Sequence, residues 1–229
     1  MNMQKYYSLI FTFFLLLNTS LYSQDKIEEF FDNAVGKDNL SLSNGKLFTN
    51  DYKTTEINQF FFPTYSIENI TYKNQDYSNI TLKYDLYRDI VIYRPYGNSE
   101  NFGIELIQEN VNSFTINNSK FVKLSGIYKG YYEEKISGNK ISLYIKHKKE
   151  IRDLVKNKLV YYNFILKNEY VIQYKNEFFT IKNKKDLVDI FKENKNEIAD
   201  FFKRNSNLFN ENRTLFFENL VKQLENNIK

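Results

Sequence analysis

The chain of 229 residues has no cysteine, no tryptophan, one histidine, two prolines and seven glycines. Without cysteine no disulfide can staple the fold, and zinc sites of the usual Cys/His types cannot be assembled. The same absence argues against a lipoprotein, whose lipid is carried on a cysteine at the cleavage point. The nucleotide-binding patterns G-x-G-x-x-G and Walker A are missing, and so is the nucleophile elbow G-x-S-x-G. The lone histidine, His147, sits among lysines in Lys146-His147-Lys148-Lys149 and is expected on an exposed loop or helix start. No Gly-rich turn exists to present a serine to it, so a Ser-His-Asp triad is not expected. Charge of one sign is also lacking: 32 Lys and Arg stand against 28 Asp and Glu, a formal net charge of +4. That mixed balance is no nucleic-acid footprint.

What is present begins at the start. Met1 to Ser23 reads as a secretory signal peptide. Lys5 precedes an apolar run from Leu9 to Leu17, and a polar stretch from Asn18 to Ser23 leads into Gln24. The run is too short to span a bilayer, and no other segment approaches the length of a membrane span. Cleavage near Ser23 would leave 206 residues, with 31 cations against 28 anions. Export to the periplasm or beyond is therefore expected. Aromatics are abundant, with 21 Phe and 19 Tyr. Asn, Lys, Ile, Phe and Tyr are enriched together and share A/T-rich codons, so composition bias explains the load better than a ligand-stacking surface. The rings also suit pleated, half-buried strands.

Asp25 to Val35 places Ile27, Phe30, Phe31 and Ala34 at helical spacing, with Gly36 to end a short helix. From Leu40 the period becomes two. Asn44-Gly45 marks a hairpin. Strands are expected over 67–72, 77–84, 90–94, 103–108, 113–116, 121–124, 128–135, 141–146, 161–166, 170–174 and 178–181, separated by Asn-, Lys- and Gly-containing turns. Such regular short strands favour an antiparallel meander. One interruption is expected. From His147 to Leu159, Ile151, Leu154, Val155 and Leu159 share a helical face, and Lys148, Lys149, Arg152, Lys156 and Lys158 cover the rest. Lys146, Lys148, Lys149, Arg152 and Lys156 form the candidate surface-binding set, suited to a membrane surface or lipopolysaccharide. A solvated charged face is the commoner outcome for such a run.

From Asn183 the period returns to 3.6. Asn183 caps a helix with Asp186 in its first turn, burying Leu187, Ile190 and Phe191. Asn194 to Glu197 opens a second, with Ile198, Phe201 and Phe202 inward. A third from Asn210 carries Phe217, Leu220, Val221, Leu224 and Ile228 on one stripe. No Gly or Pro follows Gly138, so no linker separates strands from helices. The expected class is α+β: a signal peptide (1–23), a β-rich body (24–182) as a twisted sheet or partly open barrel, and C-terminal helices (183–229) packed on it as one domain.

Carboxylates remain as candidates for acid–base work. Asp85 and Asp89 flank a bend and are expected to bond local backbone N–H groups. Adjacent Glu133 and Glu134 must face opposite sides of a strand, so they cannot line one cleft. No catalytic, cofactor or metal-binding residue is assigned.

Glu169 to Asn205, with its strand pair, its Lys184-Lys185-Asp186-Leu187 helix start and a second Lys/Glu-rich helix, resembles a group of uncharacterised secreted proteins of Bacteroidota. Tyr84-Asp85 at a strand end and the leader-to-Gln24 junction are also similar. The resemblance implies a Gram-negative envelope setting and carries over no active residues. The leading expectation is a non-catalytic envelope protein that binds an as yet unknown envelope protein or component. A β-barrel-like carrier of a small apolar or sugar ligand is the alternative, and a carboxylate-based hydrolase comes third.

Overall fold

A chain this rich in β-branched and aromatic residues, cut by Asn and Lys turns, forms strands first. In the computed structural model, which describes residues 41–54, 56–95, 102–124, 126–156 and 158–228 without the side chains of Leu154 and Lys156, the main sheet has eleven strands. They are β1 (Lys46–Leu47), β2 (Ser66–Tyr72), β3 (Gln75–Asp85), β4 (Ile90–Tyr93), β5 (Ile104–Glu105), β6 (Val111–Ile116), β7 (Ser119–Lys123), β8 (Tyr131–Ser137), β9 (Ile141–Lys146), β12 (Glu169–Tyr174) and β13 (Glu177–Ile181). Two more strands, β10 (Lys149–Lys156) and β11 (Leu159–Leu166), form a separate hairpin. The order is β1-β5-β4-β3-β2-β6-β7-β8-β9-β12-β13; every pairing is antiparallel and the sheet stays open. Helices α1 (Lys184–Ile190), α2 (Lys195–Arg204), α3 (Ser206–Glu211) and α4 (Arg213–Asn227) follow. The fold is α+β with an antiparallel meander. The expected leader Met1–Ser23 and the helix over Asp25–Val35 lie outside the described residues.

Tight turns set the register. Lys73-Asn74, Asn117-Asn118 and Lys175-Asn176 each close a two-residue hairpin with both residues at positive φ. That geometry matches the right-handed twist of the flanking strands. The expected Asn44-Gly45 hairpin does not form. Residues Ser41–Ser43 make a 3-10 turn, and β1 pairs instead with distant β5. Gly45 serves close approach there: a Cβ would lie 2.3 Å from the carbonyl oxygen of Glu105.

One face of the sheet carries two apolar clusters. In the first half, Tyr84, Phe114, Phe121 and Tyr131 pack together; Phe114 and Phe121 stack at 5.0 Å, with Tyr84 and Tyr131 edge-on. In the second half, Ile141, Leu143, Ile145 and Ile172 meet Leu187, Ile198 and Phe217 of the helices. The helices begin where their sequence dictates. Asn183 accepts from the amides of Lys185 and Asp186, and Asp186 returns to the amide of Asn183, a reciprocal cap of α1. The last helix starts at Arg213 under an Asn212 cap, three residues later than expected, because α3 intervenes. Glu225 of α4 accepts from the amides of Asn139, Lys140 and Ile141, pinning that helix to the β8–β9 turn.

Asp89 also ties distant strands. It accepts from the Tyr84 hydroxyl at 2.5 Å and from Lys146 Nζ at 2.6 Å, directly over Gly130. A Cβ at Gly130, whose φ is +78°, would stand 1.7 Å from Asp89 Oδ2. Gly126 has nearly the same φ, +76°, and open space around it. Gly126→Ala is expected to cost only the left-handed backbone strain, about 1–2 kcal/mol. Gly130→Ala should cost clearly more, because it also displaces the ion pair. Urea unfolding of both variants checks this, and equal losses would contradict it.

Candidate functional site

The titratable side chains were the first candidates, and the fold uses them as struts. Asp85 is fully buried and accepts from the amides of Tyr87 and Arg88 and from Arg88 Nε at 3.1 Å. Burial pushes its carboxyl up, against the opposing bonds from Arg88 and Tyr87. Arg88 continues to Glu105 at 2.8 Å. The backbone-bonding role expected for Asp85 is what the structure contains. Asp89 differs from expectation, since its side chain bonds Tyr84 and Lys146 across strands. Glu133 and Glu134 face opposite sides as expected: Glu134 pairs with Lys120 at 2.8 Å, and Glu133 turns inward.

Glu133 meets His147, and here the exposed-histidine expectation fails. His147 is only 8% exposed. Glu133 pairs with Ile145 across β8–β9, so Glu133, Ile145 and His147 share one face. His147 Nε2 donates to Glu133 Oε2 at 2.6 Å, and Nδ1 lies 3.2 Å from Asn168 Oδ1. Ser119 donates to the other carboxylate oxygen at 2.9 Å. Beyond Asn168 the chain runs through Thr214 to the Tyr170 hydroxyl. Burial alone would raise the Glu133 carboxyl; the hydrogen bond and charge of His147 outweigh it, helped by Ser119 and Lys135, and hold it at about 2. The rings of Phe61 and Phe121 flank the imidazole at 5.1 and 6.1 Å. Among the described residues no group of three His, Cys, Asp or Glu could hold a metal ion. Nothing there positively indicates catalysis.

The expected helix from His147 to Leu159 is instead the β10–β11 hairpin. Ile151 and Val155 fit period two as well as a helical stripe; they pair with Phe164 and Val160 across the turn at Lys158, whose φ is 62°. The proposed cations separate accordingly. Lys146 precedes the hairpin and is bound to Asp89. Burial lowers the pKa of its ammonium, with Asp89 opposing. Lys149 donates to the carbonyls of Asn58 and Phe60 at 2.6 and 2.7 Å, anchoring the hairpin root. Lys148 and Arg152 are exposed, and Lys156 is the last residue of β10. Lys146 and Lys149 are thus engaged within the fold, while Lys148 and Arg152 face solvent.

The root is held further. The amides of Tyr162 and Phe164 donate to the carbonyls of Lys53 and Ile57, and the Tyr52 ring meets Tyr87, Tyr162 and Phe164 edge-on. The tip is not: Val155, Leu159 and Val160 are 72, 50 and 47% exposed. The sequence reading missed this apolar tip. Its signal was Asn157-Lys158, a turn pair of the kind that closes the chain's other hairpins, set between Val155 and Val160.

Two cavities of about 690 and 470 Å³ share Tyr174, Lys175 and Ile228, where the β12–β13 turn meets the ends of α1 and α4. Tyr174 and Phe191 wall the larger one, 4.9 Å apart. No helix among the described residues is long and apolar enough to cross a membrane. Compared with protein-family models, curated proteins and solved structures, the chain matches none.

The buried pair gives a pH dependence with a definite sign. A carboxyl held at about 2 when folded, against an ordinary 4.5, contributes stability that is complete above the ordinary value. That stability is lost as pH falls toward 2. Glu133→Gln is expected to flatten the stability profile between those limits. His147→Ala strands a buried carboxylate and should cost about 3–5 kcal/mol at neutral pH by denaturant unfolding. A loss below about 1 kcal/mol would contradict a structural pair.

Proposed function

We propose that this chain is an exported, non-catalytic cell-envelope protein that acts by binding a protein or envelope component through the β10–β11 hairpin. The observation that carries this reading is the contrast between an anchored root and an apolar tip. Exposed aliphatics clustered at one end of an element are a usual mark of a contact surface. The titratable groups support it from the other side, because Asp85, Glu133, His147 and Asp89 are all engaged in bonds that hold strands together. Export rests on the Met1–Ser23 leader, and the envelope setting on the resemblance of Glu169–Asn205 to secreted Bacteroidota proteins. The mature protein would be periplasmic or extracellular and free of lipid.

The carrier reading has one observation in its favour, the cavity walled by Tyr174 and Phe191. A sugar or small apolar ligand there would come away with the protein and be found by native mass spectrometry.

Expression with the natural leader in a Gram-negative host tests both parts. The recovered protein should begin near Gln24 and fractionate outside the cytosol. Replacing 154–160 by a two-residue Asn-Gly turn should reduce its retention in the envelope fraction at least ten-fold while leaving its thermal unfolding unchanged. Cytosolic protein that retains Met1, or retention indifferent to the replacement, would overturn the reading.

A further inference from the structure

We infer that the tip of the β10–β11 hairpin contacts the surface of a lipid bilayer rich in anionic phospholipid, an inference that rests on the hairpin-binding reading above and names the partner. The first argument is charge. At the tip the chain carries Lys156 and Lys158, and from Leu154 to Asn168 it has no Asp or Glu. Of the hairpin's acidic residues, Glu150 lies at the root and Asp153 pairs with Tyr162, three pairs short of the last, Lys156 with Leu159. An apolar tip whose sequence carries cations beside its aliphatics matches the order of layers in such a bilayer, acyl chains below and phosphates above.

The second argument is register. Val155 pairs with Val160, and Lys156 pairs with Leu159. Successive residues of a strand face opposite ways, so Leu159 and Val160 expose apolar surface on both faces of the hairpin end. A protein docked flat against one face would leave the other in water. End-on entry into a fluid interface covers both at once. The anchored root makes such entry workable, since the hairpin meets the surface already ordered and loses little freedom on binding.

The test is co-sedimentation of the full chain, expressed with its own leader, with vesicles of phosphatidylglycerol and phosphatidylethanolamine against vesicles of phosphatidylcholine. Lys156→Gln with Lys158→Gln, and Val155→Ser with Val160→Ser, are compared after circular dichroism and thermal melts confirm folding. Binding is expected only to the anionic vesicles, weakened at high salt. It should fall about five-fold for each lysine removed, and fall also in the valine variant. Vesicle binding indifferent to both variants would overturn the inference. So would no vesicle binding in a chain whose envelope retention still depends on 154–160; in that outcome the binding reading survives and the partner is a protein. If retention and vesicle binding are both indifferent to the tip, both proposals fail.

Discussion

An open eleven-stranded sheet must cover its apolar face, and a buried carboxylate holds this one together at the point where its two coverings meet. Rings fill the first half and helices cover the second. Glu133 lies between, on β8, and its charge is tolerable only because His147 and Ser119 satisfy it. Removing the partner would leave an uncompensated charge in a low-dielectric interior, which is why the pair constrains everything packed around it. The bonds continue through Asn168 and Thr214 to Tyr170, so one polar chain links β7, β8, β9, β12 and α4.

The same chain fixes the one element that leaves the sheet. β10 begins two residues after His147, and β12 begins immediately after Asn168. The imidazole-to-amide contact therefore closes the two feet of the hairpin, and the amide of Lys167 bonding the carbonyl of Lys148 forms the next rung. Lys149 and the Tyr52 ring brace it from the side. What the hairpin presents at its far end is thus held in a set direction by residues that also stabilise the core. Structure and proposed contact share one set of supports.

Much of the fold was legible because its determinants are local. Asn183 and Asp186 cap α1 within three residues of each other, and Lys-Asn or Asn-Asn pairs set the two-residue turns with the positive φ that Asn tolerates. The opposite facing of Glu133 and Glu134 follows from strand pleat alone. The failures are non-local. Asn44-Gly45 looked like a hairpin because its true neighbour, Glu105, is sixty residues away. His147 looked exposed because its flanking lysines are visible in sequence, whereas Glu133 reaches it only through the β8–β9 register. Ile151 and Val155 satisfy helix and strand periods alike over so short a stretch, and only the sequence Asn157-Lys158 between Val155 and Val160 tells them apart. The apolar tip became visible only once the hairpin replaced the helix.

The central claim is that the hairpin has a base locked to the sheet by the Glu133–His147–Asn168 chain and an end whose aliphatics are exposed among the described residues. Amide hydrogen exchange of the native protein measures this residue by residue. The amides of Tyr162, Phe164 and Lys167 are expected to be protected to the same degree as those of β9 and β12, with protection vanishing from Val155 to Val160. Exchange of the whole hairpin as one weakly protected unit, root included, would contradict the account.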